Sequence, residues 1–318
     1  MTDDRAEFLA RIATLYYYDD LSQQEIADQV AVSRSNVSRL LKEARNAGIV
    51  EITIRHPLHR EVALERRLAE QFGLREVGVC QTVVNDPQAT LDRVARLAAR
   101  LLDSYLQHAR VLGISWGTTV HAIAHTFRPA RHYDVEVVQM MGGVGAAEPA
   151  IDGPALAQRL ARGLTGRHRY LHAPLIVDTP EIAQALLAQR NIAETLQLAA
   201  NADVALVGIG TLEPDVSSLL RAGYLTPEEF DRIRAAGAVG DICGRHFDIH
   251  GQPVAAEIDA RLISITHAAI ARLPLVIGAA ASAIKAPAIL GALRGRYLDV
   301  LVTDSAAAER ILTLAAHM

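Results

Sequence analysis

The sequence predicts two domains: an N-terminal all-α helix-turn-helix domain and a larger α/β domain with a mostly parallel sheet. Two capped amphipathic segments lie close together within residues 22–48. Beyond residue 75, short apolar runs such as VGVC, DVALVGIG and LDVLVT alternate with helical segments. The chain has 318 residues, enough for one small and one large domain. We expect the helix-turn-helix domain at 1–57, a linker helix at 58–75 and the α/β domain at 76–318.

Three helices are predicted in the first domain. The first has four apolar residues spaced for one face, Phe8, Ile12, Leu15 and Tyr16. The second starts at Ser22, because Ser22 and Glu25 form a capping box in which each side chain satisfies a backbone N–H group. The third starts at a second N-cap, Ser33, and ends at Gly48. The alternating segment 49–56 then predicts a β-hairpin wing.

The outward face of the third helix carries side chains of the types that hydrogen-bond base edges and phosphates. They are Ser33, Arg34, Ser35, Asn36, Ser38, Arg39 and Lys42. Residues 33–60 contain six Lys or Arg and two Glu, a net +4 in a chain whose formal net charge is −4. We therefore expect binding to double-stranded operator DNA. One recognition helix reads too few base pairs to be selective, so a homo-oligomer, dimer or tetramer, is expected. A three-helix module that binds protein instead is the alternative.

The composition argues against several classes of protein. No segment approaches ~18 uninterrupted apolar residues, and the acidic start MTDDRAEF is not a secretory signal. We expect a cytoplasmic protein with no membrane partner. The two cysteines, Cys80 and Cys243, lie in unrelated contexts, and the 12 histidines show no metal-ligand spacing. We therefore expect no metal site and no cofactor.

The α/β domain should bind ligands beyond the carboxyl ends of its strands. Four loops rich in Gly and small polar residues follow predicted strands, at 113–124, 139–145, 208–214 and 278–289. In the first, Thr118 and Thr119 open a helix, and exposed N–H groups there make a phosphate-sized anion site. In the fourth, Lys285 lies just inside a helix start. The segment 240–254 predicts a loop and hairpin, with Asp241 able to accept hydrogen bonds from sugar hydroxyls.

Two enzymatic alternatives remain open. GISWG fits the nucleophile elbow of α/β-hydrolases, with Ser115 as nucleophile and Asp241 and His267 following as acid and base. No HGGG-like oxyanion segment precedes Ser115, and the Thr pair after it suits an anion better. A sugar-phosphate isomerase could use Glu213 and Asp241 as bases. We expect no catalytic residues and no enzymatic activity, with a hydrolase or isomerase carrying a DNA-binding domain as the alternative.

The motifs resemble those of SorC-family sugar-binding transcriptional regulators. LYYYDDLSQQEIADQVAVSRSNVSRLLKEARNAGIVEITI is similar to the DNA-binding domain of that family. GISWGTTV, VVQMMGGVG, HAPLIVD, GIGTLEPDVSSLLRAGYL, GDICGRHFDIHGQPV and AILGALRGRYLDVLVTD follow in the family's order. The resemblance implies an effector domain related to the sugar-phosphate isomerase and glucosamine-6-phosphate deaminase fold. It also implies tetramers built from dimers, and regulation of carbohydrate metabolism by a sugar or, more typically, a sugar phosphate.

The resemblance also implies a set of effector-binding residues. The phosphate would be held by Gly117, Thr118, Thr119 and Lys285, and the sugar would lie near Gln139, Gly210, Glu213 and Asp241. The sequence departs from the family at one place: a glycine pair usually precedes the lysine, and Ala281 and Ser282 stand there instead. Their side chains would crowd the pocket, which leaves a smaller or unphosphorylated ligand open.

Overall fold

The computed structural model describes residues 3–50, 59–143, 152–254 and 257–317. The chain divides into two compact units, residues 1–57 and 58–318. Most of the predicted wing, residues 51–56, lies outside the described residues.

The described residues of the N-terminal unit form three helices, α1 (Asp3–Tyr17), α2 (Gln23–Gln29) and α3 (Arg34–Asn46). The capping box at the start of α2 is confirmed: the Ser22 hydroxyl accepts from the Glu25 N–H, and the Glu25 carboxylate accepts from the Ser22 N–H at 2.8 Å. The Ser33 hydroxyl caps α3 by accepting from the Asn36 N–H. The core that joins the helices is formed by Leu9, Ile12, Ala13, Ile26, Ala27, Val37, Leu40, Leu41 and Ala44. Packing of this core fixes the angle between α2 and α3.

The turn between α2 and α3 contains a residue in the left-handed region. Ala31 has φ +54°, a conformation in which glycine is the usual residue. A bidentate ion pair also holds α1 on α3, because the Arg5 guanidinium donates to both carboxylate oxygens of Glu43, at 3.0 and 2.6 Å. Glu43 is the acidic residue within α3, so this ion pair offsets its charge next to the basic face.

The described residues of the second unit form a parallel sheet of seven strands. Its strands are β1 (Glu76–Cys80), β2 (Val111–Ile114), β3 (Glu136–Gln139), β4 (Arg167–Arg169), β5 (Val204–Gly208), β9 (Val276–Ala279) and β10 (Val300–Asp304). Their order is β1-β10-β9-β5-β2-β3-β4, and every neighbouring pair is parallel. A smaller antiparallel sheet contains β6 (Gly210–Thr211), β7 (Ala238–Ile242) and β8 (Arg245–Asp248). The last two strands form the predicted hairpin.

The described helices of this unit follow the strands along the chain. They are α4 (Val62–Phe72), α5 (Pro87–Tyr105), α6 (Thr118–Thr126), α7 (Gly153–Leu164), α8 (Pro180–Leu187), α9 (Arg190–Ala199), α10 (Ser218–Arg221), α11 (Pro227–Ala235), α12 (His267–Ile270), α13 (Ala286–Arg294) and α14 (Ser305–His317). In the predicted linker range, α4 buries Leu68 in the core of this unit. A short break separates α8 from α9, and it lets Ala183 and Ile192 enter the same small cluster.

Strand order brings three chain segments to one edge of the sheet. β2, β5 and β9 are neighbours and run parallel, so their carboxyl ends lie side by side. The segments that follow them start at Ser115, Ile209 and Ala280. Three loops that are far apart in sequence therefore meet at one place, where the parallel-sheet rule puts a ligand.

Candidate functional site

A small cleft of about 50 Å³ lies beyond the carboxyl ends of β2, β5 and β9. Six of the predicted effector residues line it, namely Gly117, Thr118, Thr119, Gly210, Asp241 and Lys285. Trp116, the single tryptophan of the chain, lines it as well. A wider groove of about 540 Å³ shares Thr118, Thr119, Ser218 and Lys285 with the cleft.

One end of the cleft is suited to an anion. Gly117 is the N-cap of α6 with φ +133° and gives the helix no side-chain cap. The first N–H groups of α6 are thus left for a ligand, and the helix dipole favours negative charge there. A Cβ on Gly117 would meet open space, so the left-handed backbone rather than crowding is what calls for glycine. Arg221 at the end of α10 donates to the Thr118 hydroxyl at 3.4 Å, and so adds a guanidinium beside this helix start.

Lys285 supplies a second cation. Its ammonium donates to the Ile209 carbonyl at 2.9 Å, which holds it at the end of β5. Burial lowers the pKa of Lys285, and the charge of Asp241 works against that effect. The residue is the N-cap of α13 after a short 3₁₀ turn, one position before the predicted place inside the helix.

Asp241 faces the cations from β7. Burial raises the pKa of its carboxyl to about 6, while the Gly244 N–H and the charge of Lys285 favour the ionised form. Gly210 pairs with Asp241 across the β6–β7 ladder, and a Cβ on Gly210 would overlap the Asp241 carboxylate. Glycine at position 210 is therefore required to admit this acidic side chain. The carboxylate provides an acceptor for ligand hydroxyl groups at the end of the cleft.

Two predicted effector residues do not line the cleft. Gln139 is buried, and its side-chain oxygen accepts from the Leu171 N–H at 2.9 Å, so it serves the packing between β3 and the chain after β4. Glu213 lies on the surface after β6, where its backbone N–H donates to the Thr211 hydroxyl. Gln139 is the last residue of β3 and Glu213 lies just after β6, so both are at strand ends, as predicted. Their spacing in the sequence does not determine the direction in which each side chain points.

Of the residues of the hydrolase alternative, Ser115 and Asp241 line the cleft, but the expected base, His267, is not brought to Ser115. The Ser115 hydroxyl accepts from the Gly208 N–H at 3.0 Å and so ties β2 to β5. His267 lies outside the cleft lining, with its Nε2 at 3.1 Å from the Arg245 carbonyl and its ring stacked on Tyr297. Ser115 thus has a structural partner, and the expected base is occupied elsewhere.

Two residues that sequence reasoning missed complete the site. Arg221 stands within the segment GIGTLEPDVSSLLRAGYL, which resembles the family, but only the fold brings it to Thr118. Asp304 is fully buried at the end of β10 and accepts from the Thr82 hydroxyl at 2.7 Å and from the Ser282 N–H at 2.5 Å. Its aspartate-after-strand pattern was a signal that could have identified it.

Ser282 is strained where the family resemblance implies glycine. Its φ of +95° is one that side chains rarely adopt, and it lines the wider groove next to Lys285. We predict that Ser282→Gly raises the free energy of unfolding by about 1 kcal/mol. The substitution relieves the backbone strain, and the greater freedom of glycine in the unfolded chain cancels part of that gain. Denaturant unfolding followed by Trp116 fluorescence measures it. Ala281→Gly, at the neighbouring position without positive φ, is the control and should destabilise. A Ser282→Gly protein no more stable than Ala281→Gly contradicts the prediction.

The predicted DNA-binding residues share one exposed face of α3. Ser33, Arg34, Ser35, Ser38, Arg39 and Lys42 are exposed, and Asn36 is half-buried. The Arg39 guanidinium donates to the Asn36 side-chain oxygen at 2.9 Å, which orders two of these side chains in advance. The face therefore presents cations and amide groups together, the combination that reads base edges and phosphates.

Two features are absent from the described residues. No helix among them is both long and apolar enough to cross a bilayer. Within the same residues, no group of histidine, cysteine and acidic side chains is arranged to hold a metal ion.

Comparison with known proteins agrees with this two-part organisation. The Sugar-bind family model, which describes a sugar-binding domain, matches residues 56–313, and the model of sigma-70 region 4 matches residues 10–47. The chain is 31% identical to the deoxyribonucleoside regulator of Bacillus subtilis, over 98% of this chain and 99% of that one. It is 32% identical to the transcriptional regulator LsrR of an Enterobacter species, over 97% and 94% of the two chains.

A solved structure covers both units. The crystal structure of the full-length sorbitol operon regulator SorC from Klebsiella pneumoniae aligns with a TM-score of 0.73 at 31% identity, over 98% of this chain and 100% of that one. The fold and the relatives define a DNA-binding transcriptional regulator with a sugar-binding domain. The chain belongs to the SorC family of such regulators.

Proposed function

We propose that this protein controls carbohydrate metabolism in the cytoplasm by binding a palindromic operator through α3, and that a phosphorylated sugar, bound across the cleft and the adjoining wider groove, modulates this binding. The observation that carries the proposal is the meeting of the α6 start, Lys285 and Arg221 at one end of the cleft with Asp241 across from them. No catalysis is needed. The effector must only favour one arrangement of the subunits, a coupling typically worth ~1–3 kcal/mol.

The division of charge in the cleft supports a ligand with two chemically different ends. Free N–H groups, a helix dipole and two cations suit a phosphate, since each can interact with its oxygens. Asp241 suits hydroxyl groups, which donate to a carboxylate. The parallel sheet with a cleft at its strand ends also fits the predicted relation to the sugar-phosphate isomerase and deaminase fold, and that relation stays a prediction.

A ligand screen tests the effector. Sugars and polyols, each beside its own phosphate, are titrated while Trp116 fluorescence and the melting temperature are recorded. A ligand at ~100 times its Kd should add ~2.7 kcal/mol of stability. We expect phosphorylated members to bind more tightly than their parents. Equal affinity within every pair would contradict the phosphate site and leave the cleft as a site for neutral sugars.

Arg39 is predicted to matter for operator binding. Arg39→Ala should weaken it by ~1–3 kcal/mol if the guanidinium contacts a base, while the melting temperature stays nearly unchanged because the side chain is exposed. Electrophoretic mobility shifts on operator and unrelated DNA measure both affinity and specificity. Arg11→Ala removes an exposed cation from α1 instead and serves as the control. Equal affinities for Arg39→Ala and Arg11→Ala would remove Arg39 from the reading surface.

Specific binding is predicted to require a homo-oligomer, a dimer or a tetramer. A single helix-turn-helix buries little surface on DNA, and two half-sites one helical turn apart need two copies. Light scattering of the free protein and of its operator complex gives the stoichiometry. A monomer in both states would contradict this part of the proposal.

A further inference from the structure

A second concave site lies at the other end of α6 from the effector cleft. It is a groove of about 860 Å³ between the last turn of α6, the segment 127–132 and one side of α7. It shares no lining residue with the cleft. The nine residues of α6 separate the two by roughly 13 Å at 1.5 Å per residue.

The groove collects positive charge without carboxylates. Four arginines line it, Arg128, Arg131, Arg159 and Arg162, together with two histidines, His125 and His132. No aspartate or glutamate among the described residues is part of the lining, and none of the four arginines forms an ion pair with a described carboxylate. Four cationic side chains lining one groove, in a chain of net charge −4, favour the binding of anions there.

The surrounding groups leave these charges available. Arg128 donates only to backbone carbonyls, those of His125 and Phe127. Arg131 lies over the Tyr133 ring. The Asp103 carboxylate, which accepts from the Ala130 N–H and the Tyr133 hydroxyl, lies beside the groove outside its lining and offsets part of the positive charge. Arg159 and Arg162 are exposed on α7, one turn apart, where both can reach one ligand.

The shape and the floor of the groove define the class of ligand. Its volume is within the ~300–1,000 Å³ of small-molecule sites. Pro129 and Ala155, together with the small exposed parts of Phe127 and Leu156, add an apolar surface to the cationic rim, and Gln158 offers an amide. We propose that this groove binds a nucleoside polyphosphate or a ligand of the same chemistry, in which the arginines hold two or more phosphates and the apolar surface takes a ring. The concave form favours such a ligand over a DNA backbone.

Titration calorimetry of the full-length protein at low ionic strength tests the proposal, with ATP, tripolyphosphate and adenosine as probes. The test variant replaces both Arg159 and Arg162 by Ala. The control replaces Arg66 and Arg67 by Ala, two exposed arginines on α4 that remove the same charge from the same unit. We expect ATP to bind wild type and control alike and the test variant at least about tenfold more weakly, since charge-assisted contacts are lost. ATP should bind more tightly than tripolyphosphate or adenosine.

Four results would overturn the proposal. The first is no ATP binding, and the second is an equal loss in test and control variants. The third is ATP binding that changes Trp116 fluorescence and is insensitive to the α7 arginines, which would place the nucleotide in the effector cleft. The fourth is a test variant that loses operator affinity without ATP while the control keeps it, because the groove would then be a contact for DNA. None of these depends on the identity of the sugar effector.

Discussion

Lys285→Met protein is expected to bind a phosphorylated effector roughly 10- to 150-fold more weakly than wild type, because one charge-assisted hydrogen bond to the effector is lost. Methionine keeps the volume and removes the ammonium. The Asp241 carboxyl also loses the neighbouring charge that favours its ionised form, so its pKa rises further and its hydrogen bond to a sugar hydroxyl weakens. Titration of effector into the protein, followed by Trp116 fluorescence, measures the change.

The only other lysine of the chain provides a matched control. Lys42 lies on the exposed face of α3, in the other unit. Lys42→Met should weaken operator binding and leave effector affinity unchanged. Lys285→Met should weaken effector binding and leave operator affinity without effector unchanged. Effector curves for wild type and Lys285→Met that overlay would remove Lys285 from the effector site.

The α/β unit is expected to lose stability as the pH falls from about 6.5 to about 4, because two histidines are buried uncharged. Burial lowers the pKa of His246 and of His267 to about 4. Unfolded histidine takes up its proton near pH 6.5, so between about pH 6.5 and pH 4 the unfolded state binds more protons than the folded state. The free energy of unfolding therefore decreases as the pH decreases. The loss reaches about 3 kcal/mol for His246 and less for His267. Asp241, with its raised pKa, offsets part of it.

Denaturant unfolding at several pH values, read by Trp116 fluorescence, isolates this unit because Trp116 belongs to its core. His267→Phe keeps an aromatic ring against Phe247 and Tyr297. It should reduce the loss in free energy of unfolding as the pH falls from about 6.5 to about 4. His108→Phe replaces an exposed histidine and should lose as much stability at low pH as wild type does. The explanation fails if wild type and His267→Phe lose stability in parallel.

Local interactions made the helix-turn-helix predictable from sequence. Both N-caps, Ser22 and Ser33, depend on residues within three positions, and both are confirmed. The first helix shows the limit of spacing alone. The core face includes Leu9 and Ala13 beside Ile12, whereas Leu15 is only partly buried, because α2 and α3 decide which side of α1 is covered.

The cleft was predictable only in part, since it depends on strand order. Loops after strands identified Thr118 and Lys285, because a strand end and a helix start can both be seen in the sequence. Gln139 and Glu213 satisfied the same pattern, and their side chains leave in other directions. Arg221 satisfied no local pattern and reaches Thr118 across 103 positions of the chain. Contacts of that kind exist only after the sheet has formed.

The place of β1 in the sheet has a consequence for synthesis of the protein. Among the described strands, β1 is at an edge and pairs with β10 alone, and Thr82 next to it bonds Asp304 across 222 positions. At ~5–20 residues per second, the ribosome adds that length on the order of tens of seconds after β1 has emerged. Until β10 has been synthesised, β1 remains without a strand partner. Unpaired apolar strands are prone to aggregation. A chain released before residue 300 could not complete the sheet, so the final β10–α14 segment determines whether the nascent effector domain becomes a folded one.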